Sequence, residues 1–203
     1  MQQNDHVILL HGRMPERIDG VLVADIPICN PNNERNWMGW TKKRLEEKGY
    51  LVICPIVPHE WMASYGEWKK ELDALTIDED TILVGLSAGG YVLLRYLEQS
   101  GKKVKKLILV APCSTLEKTD PISLTMLPAS FLNEFYTYEI TGTAEQQIDR
   151  GITIFISDDR ELMLKSLEFY KTIMHPKVIQ LENFGHFSFL IPQFPELLQE
   201  ILH

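Results

Sequence analysis

Thr81-Ile82-Leu83-Val84-Gly85-Leu86-Ser87-Ala88-Gly89-Gly90-Tyr91 is the stretch on which the fold turns. Its first six residues are an apolar run of strand length. From Ala88 onward Val92, Leu93, Tyr96 and Leu97 recur at helical spacing, with Gly101 standing where a left-handed residue would end the helix. Between strand and helix lies Gly85-x-Ser87-x-Gly89. A serine on so sharp a turn has its hydroxyl lifted clear of the sheet, and the flanking glycines let backbone pass where a Cβ would collide. At this chain's glycine and serine frequencies the pattern would arise by chance about 0.03 times per sequence, so it carries chemical information.

Outward from this turn, apolar runs recur at 6–10, 50–54, 106–110, 152–156 and 177–181, as expected of strands covered on both faces. Segments of helical period follow or separate them at 37–48, 65–75, 88–99, 161–173 and 192–202. This alternation predicts an α/β fold: a doubly wound, mostly parallel sheet of about six strands with helices on both faces. In such sheets ligands bind beyond the carboxyl ends of the strands.

Two stretches break the alternation. Residues 12–35 are rich in Pro, Asn and Asp, and 112–149 mix apolar and aromatic side chains with Pro121 and Pro128. Both are too long for structureless loops in a compact domain. The second reads as a small cap, giving a single domain over 1–203 with the cap within 112–149.

Composition narrows the function classes. The chain has 203 residues, 45% hydrophobic and 24% charged, as in an ordinary globular protein. Twenty basic against 28 acidic side chains leave a net charge of −8, which repels phosphate backbones and anionic bilayers, so neither nucleic acid nor membrane is an expected partner. The basic cluster Lys102, Lys103, Lys105 and Lys106 reads as a helix C-terminal turn and loop. Met1 to Asp5 carries no positive n-region, and no run approaches a membrane span. Cys29, Cys54 and Cys113 are widely spaced and lack any CxxC pattern, so they read as reduced, buried thiols of a cytoplasmic protein. No nucleotide loop or metal-ligand spacing is present, and no cofactor or metal is expected.

A serine hydroxyl needs a base, and the base needs a group that fixes its tautomer. His186, in Asn183-Phe184-Gly185-His186-Phe187, follows the last predicted strand and stands at the edge where it could reach Ser87. His175 precedes that strand and belongs to the opposite edge. Ser157-Asp158-Asp159-Arg160 follows the strand 152–156, so one aspartate can hold the imidazole while the other caps the next helix. The order serine, aspartate, histidine is that of α/β-hydrolases. The oxyanion hole is assigned to the backbone N–H groups of Ala88 and Arg13, the latter in His11-Gly12-Arg13 beyond the first strand. The Arg13 side chain reads as solvated in preference to a contact for an acidic substrate group.

On His11-Gly12, Trp37-x-x-Trp40, Gly85-x-Ser87-x-Gly89, Asp158-Asp159 and Gly185-His186-Phe187, the sequence resembles the small serine-hydrolase family that includes the retinoblastoma-binding hydrolases. The resemblance implies that Asp159, the second of the pair, is the acid. The chain departs from the family at Leu86 and Arg160, where the family has histidine and proline, and in a longer segment before Trp37. Trp37 and Trp40 read as helix-sheet packing. The expected activity is cleavage of a small-molecule ester, thioester or amide through an acyl-enzyme on Ser87. The alternative is a non-catalytic binding or interaction module on the same scaffold; a protein partner is not legible in the residues.

Overall fold

The computed structural model describes residues 6–203; Met1–Asp5, on which the reading against a leader partly rests, lie outside the described residues. Six parallel strands build the main sheet: β1 (His6–Leu10), β4 (Leu51–Ile53), β5 (Thr81–Leu86), β6 (Lys106–Val110), β7 (Ile152–Ile156) and β8 (Lys177–Gln180), in the spatial order β4-β1-β5-β6-β7-β8. The short antiparallel pair β2 (Arg17–Ile18) and β3 (Val21–Leu22) lies in the 12–35 excursion together with two single 3-10 turns. The chain direction across the sheet reverses between β1 and β5, and this switch point is where a crevice opens at the carboxyl edge.

Strands β1, β5, β6 and β7 are buried almost throughout because helices cover both faces. The helices are α1 (Trp37–Glu46), α2 (Tyr65–Asp73), α3 (Ala88–Ser100), α4 (Pro121–Met126), α5 (Ala129–Phe135), α6 (Glu161–Ile173) and α7 (Pro195–Leu202). Side-chain alternation assigns the faces. Lys106 and Thr153 reach Glu200 on α7, whereas Leu109, pointing the other way, lies against Gly90 on α3. Accordingly α1 packs with α7, and α2 packs with α3.

Local chemistry explains where these helices begin. Asn36 caps α1 by accepting from the N–H groups of Met38 and Gly39, and Ser64 with Glu67 forms a capping box on α2. Gly101, at φ +67°, ends α3 in the left-handed conformation expected there. Two expectations need correction. Lys106 is not part of an exposed basic loop: as the first residue of β6 it is 7% exposed, and its ammonium lies 2.7 Å from the Glu200 carboxylate. Neither aspartate side chain caps α6, whose N-cap residue is Arg160. Both are occupied at the carboxyl edge of the sheet, Asp158 with the loop after β8 and Asp159 with His186.

The 112–149 segment contributes a 3-10 turn at Thr115–Thr119, then α4 and α5, and a further 3-10 turn at Thr143–Gln147. Phe131, Leu132, Phe135 and Tyr136 from this segment join the core, while Ile122 and Met126 stay exposed near the crevice.

Candidate active site

Beyond Leu86 the backbone at Ser87 adopts φ +52° and ψ −118°, a combination strained for an L-residue. What holds it there is the packing of three backbone segments. A Cβ on Gly89 would stand 2.3 Å from the His11 carbonyl oxygen, and one on Gly85 would stand 2.7 Å from Gly90 Cα. The glycines of the motif are thus the reason α3 can approach β1 and β5 closely enough to present the serine. Ser87 N–H donates to Val110 O, and Ser87 O accepts from Gly90, Tyr91 and Cys113, so the turn is fastened to both β6 and α3.

Ser87 and His186, predicted from strand-end position, come together with Asp159, the member of the strand-end pair that the resemblance favoured. Ser87 Oγ donates to His186 Nε2 at 3.0 Å, and His186 Nδ1–H donates to Asp159 Oδ2 at 2.5 Å. These bonds require the neutral Nδ1–H tautomer of His186. The Asp159 side chain is 2% exposed and that of His186 is 38% exposed, so the acid is sealed while the base faces the crevice. The second oxygen of Asp159 accepts from Arg160 N–H at 2.6 Å.

Asp158 has a different task. Its Oδ1 accepts from Ser157 Oγ at 2.5 Å and from Gly185 N–H at 3.2 Å. These hydrogen bonds, that from Ser157 first, hold the Asp158 carboxyl below its ordinary value. Ser157 Oγ accepts in turn from Phe184 N–H. The end of β7 therefore grips the loop that carries His186. From the other side Trp37 Nε1–H donates to Phe187 O at 2.8 Å while its ring meets Phe194 edge-on. Trp37 packs as expected, and it also braces the residue after the histidine.

The His11-Gly12-Arg13 turn lies directly against the serine: a Cβ on Gly12 would stand 3.0 Å from Ser87 Cβ. Sequence reasoning gave His11 no structural role. It is buried, with Nε2 accepting from Val57 N–H at 3.1 Å and Nδ1–H donating to Gly12 O at 2.7 Å. Burial lowers its pKa and keeps it neutral, as these two bonds demand. His11 thereby holds the turn that brings Arg13, like Ala88, to the wall of the cavity.

That cavity has a volume of about 550 Å3 and contains Ser87 and His186 among its walls. Met14, Trp61, Ile122, Met126 and Leu127 make much of it apolar. Among the wall residues that sequence reasoning did not foresee are Cys113 and Glu117, whereas Tyr136 belongs to the aromatic-rich segment read as a cap. For Cys113 a signal existed, since it follows β6 at the same sheet edge as the other strand-end residues. Its Sγ is 3.2 Å from Ser87 Oγ. Arg13 also departs from expectation. Arg13 is half-buried: its Nε and Nη2 are enclosed, and its guanidinium stands over Phe135 and Phe131, 4.4 and 4.8 Å from their ring centres. Among the described residues no cluster of His, Cys, Asp and Glu is suited to hold a metal ion, and no helix is long and apolar enough to cross a membrane.

No protein-family model matches the chain. Among solved structures, the ydeN gene product from B. subtilis is similar at a TM-score of 0.72 and 19% identity, over 98% of this chain and 97% of that one. MGS-MChE2, an α/β hydrolase enzyme from a lagoon-sediment metagenome, is similar at a TM-score of 0.63 and 17% identity, over 99% and 90% of the two chains. Carboxylesterase CesB from Bacillus subtilis is similar at 0.53 and 14% identity, over 100% and 84%. Sheet order, crossovers and these likenesses define the class of the molecule: it has the α/β-hydrolase fold.

Proposed function

We propose that this chain is a serine hydrolase of the carboxylesterase kind, acting on a small-molecule ester or thioester, with amides as a further class. The observation that carries the reading is the unbroken hydrogen-bonded relay from Ser87 Oγ through His186 to the enclosed carboxylate of Asp159, opening onto a largely apolar cavity. A binding module has no physical need for a relay of this kind. Hydrolases and a carboxylesterase among the similar structures support the same reading. The motifs shared with the family of the retinoblastoma-binding hydrolases support a relationship to that group, and residues 112–149 serve as the cap of a single domain.

In this mechanism Ser87 Oγ attacks the substrate carbonyl carbon as His186 Nε2 takes its proton. Asp159 stabilises the resulting imidazolium. The oxyanion is held by the N–H groups of Ala88, at the first turn of α3, and Arg13. Collapse of the tetrahedral species breaks the bond to the leaving alkoxide or thiolate, which receives the proton from His186 Nε2. Water, deprotonated by the same nitrogen, then attacks the acyl carbon, releasing the carboxylic acid and restoring the Ser87 hydroxyl.

The test is intact-mass measurement after exposure to a fluorophosphonate. A single adduct on the native protein, absent from Ser87→Ala and His186→Ala, is the expected result. A folded native protein that takes no label would overturn the reading in favour of a binding module.

A further inference from the structure

Among the described residues, four charged side chains line the cavity besides the Ser87–His186–Asp159 relay: Arg13, Glu16, Glu117 and Arg160. Three have an evident reason to be there. Glu16 is exposed. Glu117 accepts from Ser123 Oγ and faces Arg160 at 3.6 Å, and Arg160 also faces Asp120 at 3.7 Å. Arg13 differs. Among the described residues it has neither a carboxylate partner nor a side-chain hydrogen bond, and its Nε and Nη2 are enclosed without a partner. Beside it Tyr136, which is 0% exposed, has a hydroxyl with no nitrogen or oxygen partner among the described residues and with the Cys113 thiol as its polar neighbour.

A guanidinium remains protonated in proteins, and removing it from water without an anion is costly. Rings offset part of that cost: Phe131, Phe135 and Tyr136 surround the Arg13 carbon at 4.8, 4.4 and 5.7 Å. Phe131 and Phe135 themselves stack at 5.7 Å. The result is a preoriented, unneutralised cation in the wall of a mainly apolar cavity. It extends from the same turn that lies against Ser87 and lines the same cavity.

Resting on the serine-hydrolase reading, we infer that the substrate carries a second, anionic carboxylate, which Arg13 and the Tyr136 hydroxyl receive while its ester carbonyl meets Ser87. The substrate class is the half-ester of a dicarboxylic acid. The planar fork of arginine matches a carboxylate. Glu16 and Glu117 on the same cavity favour a monoanion over a phosphate dianion.

The experiment compares p-nitrophenyl half-esters of succinate, glutarate and adipate with neutral p-nitrophenyl esters of matched length, on the native protein, Arg13→Met and Arg13→Lys. The readout is the charged-to-neutral ratio of kcat/KM within each preparation, so a loss common to both substrates cancels. At least one half-ester is expected to exceed its neutral counterpart tenfold or more, with that preference abolished in Arg13→Met and partly restored in Arg13→Lys. Hydrolysis of neutral esters with no preference for any half-ester, or with a preference that survives Arg13→Met, overturns the inference and leaves the hydrolase reading standing. Should no ester be cleaved, that reading fails, and titration calorimetry with free glutarate decides the carboxylate site separately. Binding that is lost in Arg13→Met supports the site, and no binding to the native protein overturns it.

Discussion

Cys113 Sγ lies 3.2 Å from Ser87 Oγ, so the serine hydroxyl is flanked by an imidazole on one side and a thiol on the other. Burial, reinforced by the charge of Glu117, pushes the Cys113 thiol far up, outweighing the hydrogen bond to Ser87. The sulfur is therefore a protonated neighbour of the nucleophile. It is poorly suited to act as a competing thiolate.

The same physics predicts thiol inertness. Burial raises Cys54 to about 12 and also raises Cys29, and all three cysteines are free and buried. At pH 8 the native protein should resist iodoacetamide, whereas in guanidinium chloride all three thiols should alkylate. Intact mass reads both states. Rapid native labelling at Cys113 would contradict the enclosed thiol.

The two adjacent aspartates should respond differently to the same change. Asp159→Asn removes the carboxylate that fixes the His186 tautomer and should lower kcat by roughly 10³- to 10⁴-fold on an activated ester. Asp158→Asn weakens the bonds from Ser157 and Gly185 but leaves the relay itself intact, and should cost about tenfold or less. Steady-state kinetics on both variants, with matched circular dichroism spectra, separates a catalytic role from a positioning one.

Glu200 supplies an acid-sensitive element. It is 7% exposed, and burial alone would raise its pKa, but hydrogen bonds from Lys106, Lys177 and Thr153 bring it down to about 2. The unfolded value is about 4.3, so the folded state binds the proton less readily than the unfolded chain. Its contribution, on the order of 3 kcal/mol, is present above pH about 4.5 and is lost as pH falls toward about 2. Glu200→Gln should destabilise the protein by roughly 3 kcal/mol at pH 7, because Lys106 is left buried without its anion. Urea unfolding at pH 7, 5, 4 and 3 should show the gap between variant and native protein closing as the pH drops.

Gly89→Ala should be severe. The added methyl would meet the carbonyl oxygens of His11 and Leu10, both backbone, at 2.3 and 2.9 Å, and neither can move without shifting β1. A cost of about 3 kcal/mol or more is expected. At Gly101 the space is open and only the left-handed conformation is penalised, so Gly101→Ala should cost about 1 kcal/mol. Thermal unfolding of the two variants provides the comparison.

Much of this molecule was legible before folding, and for identifiable reasons. Strands β5, β6 and β7 are covered on both sides, so they appear as unbroken apolar runs whose limits agree with the structure. Helix α6 was read at its observed limits because its apolar stripe is regular. Ser87, His186 and the pair Asp158-Asp159 could be chosen because each follows a strand, and in a parallel sheet all strand ends lie on one edge; within the pair, Asp159 was favoured only by the family resemblance. Arg13 was misread because an arginine after a tight turn is ordinarily solvated, and Phe131 and Phe135 lie more than a hundred residues further along the chain. Lys106 was misjudged for a similar reason, since its anion is 94 residues away on α7.

By itself the sequence determined the alternation of strands and helices, the strained turn at Ser87 and the set of side chains carried to one sheet edge. Those properties depend on periodicity, on glycine at close approaches and on chain order, all of which are local or topological. Only the tertiary structure decided which aspartate faces His186, that Cys113 stands beside the serine, and that Arg13 is caged by rings and left without an anion. Those outcomes depend on distances between elements remote in sequence, where burial and charge act through space and leave no mark on the order of residues.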